Sequence, residues 1–268
     1  MFRSKIMLLL ILLLTSGVAV ALQESGEEYV SANLEQEKQL GVTFDLTYVS
    51  KWLSKGAEGY GSKGGLFETV DVDLYGTGFG FKVSHRNATS SGYVNSSRFD
   101  YRPYYKNKLF EGTSYVMNYN ISVGYEHYYK VNSNNANTTW EWVFAFAWPK
   151  LIGHGFVPKY IAHYEYPAHN NDNFRHKAGW AHRFILIYNA ELEQLPKPLC
   201  LSIEMTYNDG LGGVPSDWSY LTLGMGTEFN ITDNVTFVPG IYHQVTMDNS
   251  INKHKDVTYC KLSMKYKF

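Results

Sequence analysis

Beyond its first 21 residues the chain has no apolar run long enough for a membrane-crossing helix, which needs about 20 residues. Any span must therefore be made of strands. Lipid accepts strands only as a closed barrel, because an open edge has no partner there. Cysteine is scarce: Cys200 and Cys260 are the two present, too few for a disulfide framework. A surplus of positive charge is missing as well. The 24 Lys and Arg face 25 Asp and Glu, which excludes the electrostatic footprint of a nucleic-acid binder. There is no domain linker, and no repeat beyond a hairpin period. Gly210-Leu211-Gly212-Gly213 is turn chemistry and not a phosphate cradle.

Aromatic residues are plentiful, with 6 Trp, 22 Tyr and 15 Phe. Tyr and Trp suit a boundary where the ring is buried in apolar surroundings and the polar tip stays wet. The N-terminus carries Arg3 and Lys5, the apolar run Ile6 to Leu14, and then Ala19-Val20-Ala21. That order is a secretory signal peptide over residues 1–21, cleaved after Ala21. Without Arg3 and Lys5, 22 basic residues face 25 acidic ones, a charge near −3. Export permits a disulfide but does not imply one. Both cysteines are read as outward positions on different strands, and as free thiols. Residues 22–39 are polar and acidic and read as an N-terminal arm.

From residue 40 onward the chain alternates apolar and polar residues with a period of two, the signature of strands with two unlike faces. Val42, Phe44, Leu46 and Tyr48 share one parity, and Thr43, Asp45 and Thr47 the other. Trp140, Trp142, Phe144, Phe146 and Trp148 fill one face of a later segment, opposite Glu141, Val143, Ala145 and Ala147. Five aromatics in a row on one face fit a lipid-facing surface, and the small residues behind them fit a crowded interior. Twelve such segments can be counted. Polar loops (54–64, 87–96, 131–138, 167–178, 208–217 and 247–256) fall on one side. Tyr75-Gly76-Thr77-Gly78 is a tight hairpin turn on the other. Three connections on that side, near Lys106–Ser114, Pro149–Phe156 and Glu191–Lys197, are longer than a typical short turn. Pro239 inside the eleventh segment predicts a bulge or a strand boundary there, because proline cannot donate to a ladder.

The polar parity carries Asp45, Asp71, Asp73, Asp100, Glu126, Glu141, Glu165, Glu204 and Glu228. It also carries Lys51, Lys82, Arg86, Arg102, Lys159, Arg183, Lys261, Lys265 and Lys267, nine of each sign. In a membrane this parity must face inward, since each Lys or Arg near the lipid midplane would cost about 2–4 kcal/mol. The candidate pore-lining residues are Asp45, Asp71, Asp73, Lys82, Arg86, Asp100, Arg102, Glu126, Glu141, Arg183, Glu204 and Glu228. A symmetric turn at residues 75–78 would place Asp71 opposite Lys82. Balanced charge fits either a narrow path for small polar solutes or a lumen closed by its own ion pairs. The expectation is an all-β, closed antiparallel transmembrane β-barrel of about twelve strands over residues 40–268, with both termini on one side. No cofactor or metal is implied.

The last nine residues alternate Cys260, Leu262, Met264, Tyr266 and Phe268 with Lys261, Ser263, Lys265 and Lys267. A terminal strand ending Tyr-x-Phe resembles the closing strand of bacterial outer-membrane barrels. That resemblance implies an assembly signal at Leu262, Met264, Tyr266 and Phe268, read by the barrel-assembly machinery, and a place in outer-membrane lipid. The stretches Tyr48-Val49-Ser50-Lys51-Trp52, Gly65, Val70-Asp71-Val72-Asp73 and Gly78-Phe79-Gly80-Phe81 resemble the opening hairpins of an outer-membrane porin family. The family is named for the trimethylamine-oxide respiratory system (TorF-like). Lys51-Trp52 stands where that family has Arg-Gly. The resemblance implies a transport role without naming a solute.

Three other readings compete. One is a barrel that anchors or recognises and does not conduct. A second is an outer-membrane hydrolase, which needs Ser, His and a carboxylate to converge. Ser84 and His85 are adjacent and so point to opposite faces, while His127, His163 and His182 lie near loop ends. The segment His169 to His176, with Asp172, has no diagnostic metal-ligand spacing. The third is a secreted soluble β-sandwich, suggested by Asn-x-Ser/Thr triplets at Asn87, Asn95, Asn120, Asn137, Asn230 and Asn234.

Overall fold

The computed structural model describes residues 40–55, 57–58, 60, 63–89, 97–129, 138–169, 177–249 and 256–268. The expected signal peptide and arm, Asn95, Asn137 and most of the His169–His176 segment lie outside them. Twelve strands make the wall. They are β1 (Gly41–Val49), β2 (Gly65–Asp73), β3 (Phe79–Ala88), β4 (Arg98–Leu109), β5 (Met117–Tyr128) and β6 (Thr139–Ala147). Then come β7 (Phe156–Pro167), β8 (Gly179–Ala190), β9 (Leu199–Asp209), β10 (Asp217–Gly226), β11 (Val235–Thr246) and β12 (Val257–Lys267). Each pairs antiparallel with its chain neighbours, and β1 pairs with β12 from Thr43↔Lys267 to Val49↔Lys261, which closes the barrel. The terminal residue is part of this seam, since Phe268 N donates to Val42 O at 3.0 Å. No helix among the described residues is long and apolar enough to cross a membrane.

The two faces are the inverse of a soluble protein. Leu46, Tyr48, Val70, Phe81, Trp142, Phe184, Ile203, Ile241 and Leu262 are exposed on the outside, while Arg86, Arg98, Asp100, Glu126, Glu141, Arg183 and Glu204 are buried inside. A contiguous apolar exterior of this extent has no place in water. It excludes the sandwich, whose apolar parity would be internal. Asn120 stands opposite Lys106 and Ala145 within the wall, on the inner parity, where no glycan fits.

Four expectations are corrected. Glu228 leaves the regular inner face: it falls in a two-residue break between β10 and the short continuation Phe229–Asn230, and it is exposed. Pro239 causes neither a bulge nor a boundary. β11 runs through it opposite Leu262, and register with the other neighbour is the same before and after, Gly226↔Gly240 and Phe229↔Phe237. The missing proline N–H is accommodated by the break itself, where Thr227 Oγ1 donates instead to the carbonyls of Lys197 and Pro198. Cys200 is not outward. It shares the parity of buried Ser202 and Glu204, whereas Cys260 pairs outward with Ile241. Neither cysteine is in a disulfide. Finally, the segment after β1 is not a polar outer loop. It folds into the barrel.

The turn after β2 has Tyr75 and Gly76 both at positive φ, 57° and 66°, and Thr77 N donates to Leu74 O at 3.1 Å. This is the twist that short hairpins prefer. Beside it, Gly80 stands directly opposite Tyr104, and a Cβ on Gly80 would lie 2.1 Å from the Tyr104 ring. The ring covers the glycine backbone. Gly80→Val is expected to destabilise the barrel by about 1–3 kcal/mol through overpacking, with recovery in Gly80→Val/Tyr104→Ala. Urea midpoints of the refolded protein check this, and equal loss in the single and double variants would refute it.

Candidate functional site in the barrel lumen

Side chains on the inner parity of β3 to β9 meet in one ion-pair network near the loop-bearing end. Arg86 Nε lies 2.6 Å from Asp100 Oδ2, and Arg98 Nε lies 2.9 Å from Asp100 Oδ1. Arg98 also pairs with Glu126, and Arg102 with Glu141. Arg183 binds Glu204 through two parallel hydrogen bonds, Nε to Oε1 and Nη2 to Oε2, both 2.8 Å. Tyr220 OH and Thr206 Oγ1 donate to the same Glu204 Oε1. His163 Nδ1 sits 2.9 Å from Glu141 Oε1. Gly124 leaves room for this packing, because a Cβ there would lie 2.8 Å from the Arg102 guanidinium.

The segment between β1 and β2 completes the network. Its short antiparallel pair, Leu53–Ser54 with Ala57–Glu58, lies inside the barrel. Lys55 Nζ reaches Glu141 Oε1 at 2.6 Å and Glu165 Oε1 at 2.5 Å, on β6 and β7, the wall opposite its own attachment. Leu53 packs with Tyr242, Val257 and Tyr259 on β11 and β12. Trp52 and Tyr60 pack with Val49 and Phe67, and the guanidinium carbons of Arg98 and Arg86 lie 5.1 and 5.9 Å from the Trp52 ring centre. Each such cation–π contact contributes about 0.5–2 kcal/mol. The described residues of the insert are thus fastened at three places around the circumference. Five cations (Lys55, Arg86, Arg98, Arg102 and Arg183) face five carboxylates (Asp100, Glu126, Glu141, Glu165 and Glu204).

Burial alone would lower the pKa of Lys55. Attraction to Glu141, Glu165 and Glu126 outweighs it and holds the ammonium above its ordinary value. With a raised folded-state pKa, its stabilising contribution is complete at neutral pH and is lost only as pH rises through that raised value. Oxygens of Glu126, Glu141 and Glu165 lie within 4.8 Å of one another, a spacing that could hold a metal ion. The Lys55 ammonium sits against two of the three.

Below the network, Val143, Ala145 and Ile161 pack with Ile185 as a small apolar core inside the wall. Toward the end that carries Leu40 and Phe268 the charged side chains are more exposed. There Lys82 Nζ lies 3.2 Å from Asp71 Oδ2, in the register expected across the turn, and Lys106 Nζ lies 2.7 Å from Asp73 Oδ2. Tyr104 OH donates to Asp71 Oδ1 at 2.8 Å, and Asp45 stands opposite Lys265. Side chains of these first two pairs are 16–28 % exposed, against 11 % or less for the charged pairs of the network.

The structure therefore divides the candidate pore-lining residues. Arg86, Asp100, Arg102, Glu126, Glu141, Arg183 and Glu204 share the buried network. Asp45, Asp71, Asp73 and Lys82 line the open end, and Glu228 lies outside both. Lys55, Trp52, Leu53, Tyr60, Arg98 and His163 were not among the candidate pore-lining residues. Trp52, Leu53 and Tyr60 carried a usable signal, being large apolar residues in a stretch otherwise typical of a polar loop. Ser84 faces inward, bonded to Thr69 Oγ1 at 2.9 Å, while His85 faces outward to Glu68 and Tyr129. They form no nucleophile–base pair.

No protein-family model matches the chain, and no curated protein matches it. Solved structures do. The KdgM porin superposes with a TM-score of 0.52 at 11% identity, over 84% of this chain and 99% of the porin. An outer membrane channel from Pseudomonas putida F1 gives 0.50 at 10% identity, over 90% and 100%. The NanC porin gives 0.49 at 8% identity, over 86% and 100%. The likeness is one of fold.

Glu204→Gln is expected to destabilise the barrel by about 3–5 kcal/mol, because it strands the buried Arg183 guanidinium. Arg183→Met/Glu204→Leu should restore most of the loss, since a packed apolar pair avoids the desolvation of both ions. Equilibrium unfolding in urea measures both, and a single-variant loss below about 1 kcal/mol, the range of exposed pairs, would show the site to be wet.

Proposed function

We propose that this chain is a porin-like channel of the bacterial outer membrane, passing small polar solutes by passive diffusion. The observation that carries the reading is the inside-out barrel: an apolar exterior closed on itself around an interior of paired charges. Such a wall suits lipid, and a twelve-stranded lumen is intermediate between the side-chain-filled barrels of eight strands and wide porins. The fold shared with the KdgM porin and the Pseudomonas putida F1 channel supports the same reading, as does the TorF-like resemblance of the opening hairpins. In this proposal solutes are selected by charge and fit along Asp45, Asp71, Asp73 and Lys82, and by the network at the far mouth. The exposed ridge Leu262, Met264, Tyr266 and Phe268 serves as the assembly signal, and residues 1–21 direct export.

The buried network and its inserted segment favour a second reading, a barrel that anchors or recognises and does not conduct. Planar-bilayer recording of the refolded mature chain separates the two. The channel reading expects stepwise ohmic openings whose ion preference shifts toward anions in Asp71→Asn, which removes a carboxylate from the open end. A folded, heat-modifiable barrel that never conducts would leave the anchoring reading. A chain that stays folded without detergent would end the membrane placement.

A further inference from the structure

We propose that Lys55 is the latch of a built-in plug, and that its withdrawal from Glu141 and Glu165 opens the loop-side mouth. The inference rests on the channel reading and adds its gate. Its first support is reach: Lys55 belongs to the connection between β1 and β2 yet ends on β6 and β7, across the lumen. A segment that merely covered the rim would not cross it. Its second support is the kind of fastening. Leu53 and Trp52 are held by packing on their own side of the ring, and the far end is held by one ammonium on two carboxylates. Packing on the near side keeps the segment attached as a hinge, and a single charged contact on the far side can be exchanged for water or a mobile cation.

The third support is the charge that release leaves behind. The printed pairs set Arg86, Arg98, Arg102 and Arg183 of the wall, together with Lys55, against Asp100, Glu126, Glu141, Glu165 and Glu204, so release of Lys55 takes one positive charge from Glu141 and Glu165. Glu165 has Lys55 as its salt-bridge partner among the described residues. When the segment swings out, the Glu165 carboxylate loses that partner in a buried setting, where low dielectric strengthens its field. The opened mouth therefore admits cations ahead of anions. A mobile cation also competes with Lys55 for the same oxygens, so raised concentrations of a small ammonium ion favour the open state by mass action.

The test reads plug release without relying on current. Leu53→Cys in a Cys200→Ser/Cys260→Ser background places a thiol under the plug. With Lys55 intact its reaction with a maleimide is slow. In Lys55→Met the rate rises about tenfold or more, because the insert has lost the Lys55 contact with the far wall. Lys55→Met/Glu165→Gln, which removes the Glu165 charge together with that of Lys55 and guards against misfolding of the single variant, gives the same acceleration. Methylammonium accelerates labelling of the Lys55-intact protein, while sodium at equal ionic strength does so less.

Bilayer recording supplies the gate itself. Open probability rises in both variants, and the reversal potential in a salt gradient moves toward the cation potential in Lys55→Met but not in the double variant. Equal labelling rates with and without Lys55 would overturn the latch. Faster labelling with unchanged conduction in a protein that does conduct would overturn the gate. Faster labelling with no current in any variant would overturn the gate and the channel reading together, leaving only a releasable insert.

Discussion

The seam between β1 and β12 is the constraint on which the rest depends. Until Thr43 to Val49 pair with Lys267 to Lys261, the sheet has two edges, and neither lipid nor water gives its strands a reason to place charge on the concave side. Closure leaves each strand with a neighbour on either hand and defines an inside. The seam also takes in Phe268, which is tied to Val42 through its backbone while its ring packs edge-on against Tyr266 on the exterior.

Once an inside exists, its electrostatics divide along the axis. At the end with Leu40 and Phe268, charged pairs keep contact with solvent and contribute little to stability, as exposed pairs do. At the loop end the same residue types are dry. A dry ion pair is costly to assemble and more costly to leave half-made, so the carboxylates there each meet a cation, with Tyr220, Thr206 and His163 occupying further acceptor positions. Lys55, which comes from outside the wall, is one of the cations that pair there. The connection after β1 is thereby tied to the charges of the far wall.

Much of the wall was legible in the sequence. Alternation is a local property, and exchanging the two faces would bury Lys and Arg in lipid, so twelve strands, their faces and the Asp71–Lys82 pairing could be read from short windows. The failures have physical reasons. Glu228 and Pro239 sit where a ladder is interrupted, and the period-two rule assumes no interruption. One strand limit shifted for a related reason: the connection expected from Lys106 begins only after Leu109, the end of β4, since paired backbone continues beyond the last clearly alternating side chain.

The sequence by itself determined which residues face lipid and which face inward, because that choice depends on each residue's polarity and on a repeat of two. It also set the charge balance of the inner face. Only the tertiary structure decided which charges are neighbours, that the segment around Lys55 turns inward, and that the lumen has one dry end and one open end. Those outcomes depend on strands far apart in the chain being brought around a closed ring. Lys55 and Glu165 are 110 residues apart and meet only because β1 and β7 face each other across it.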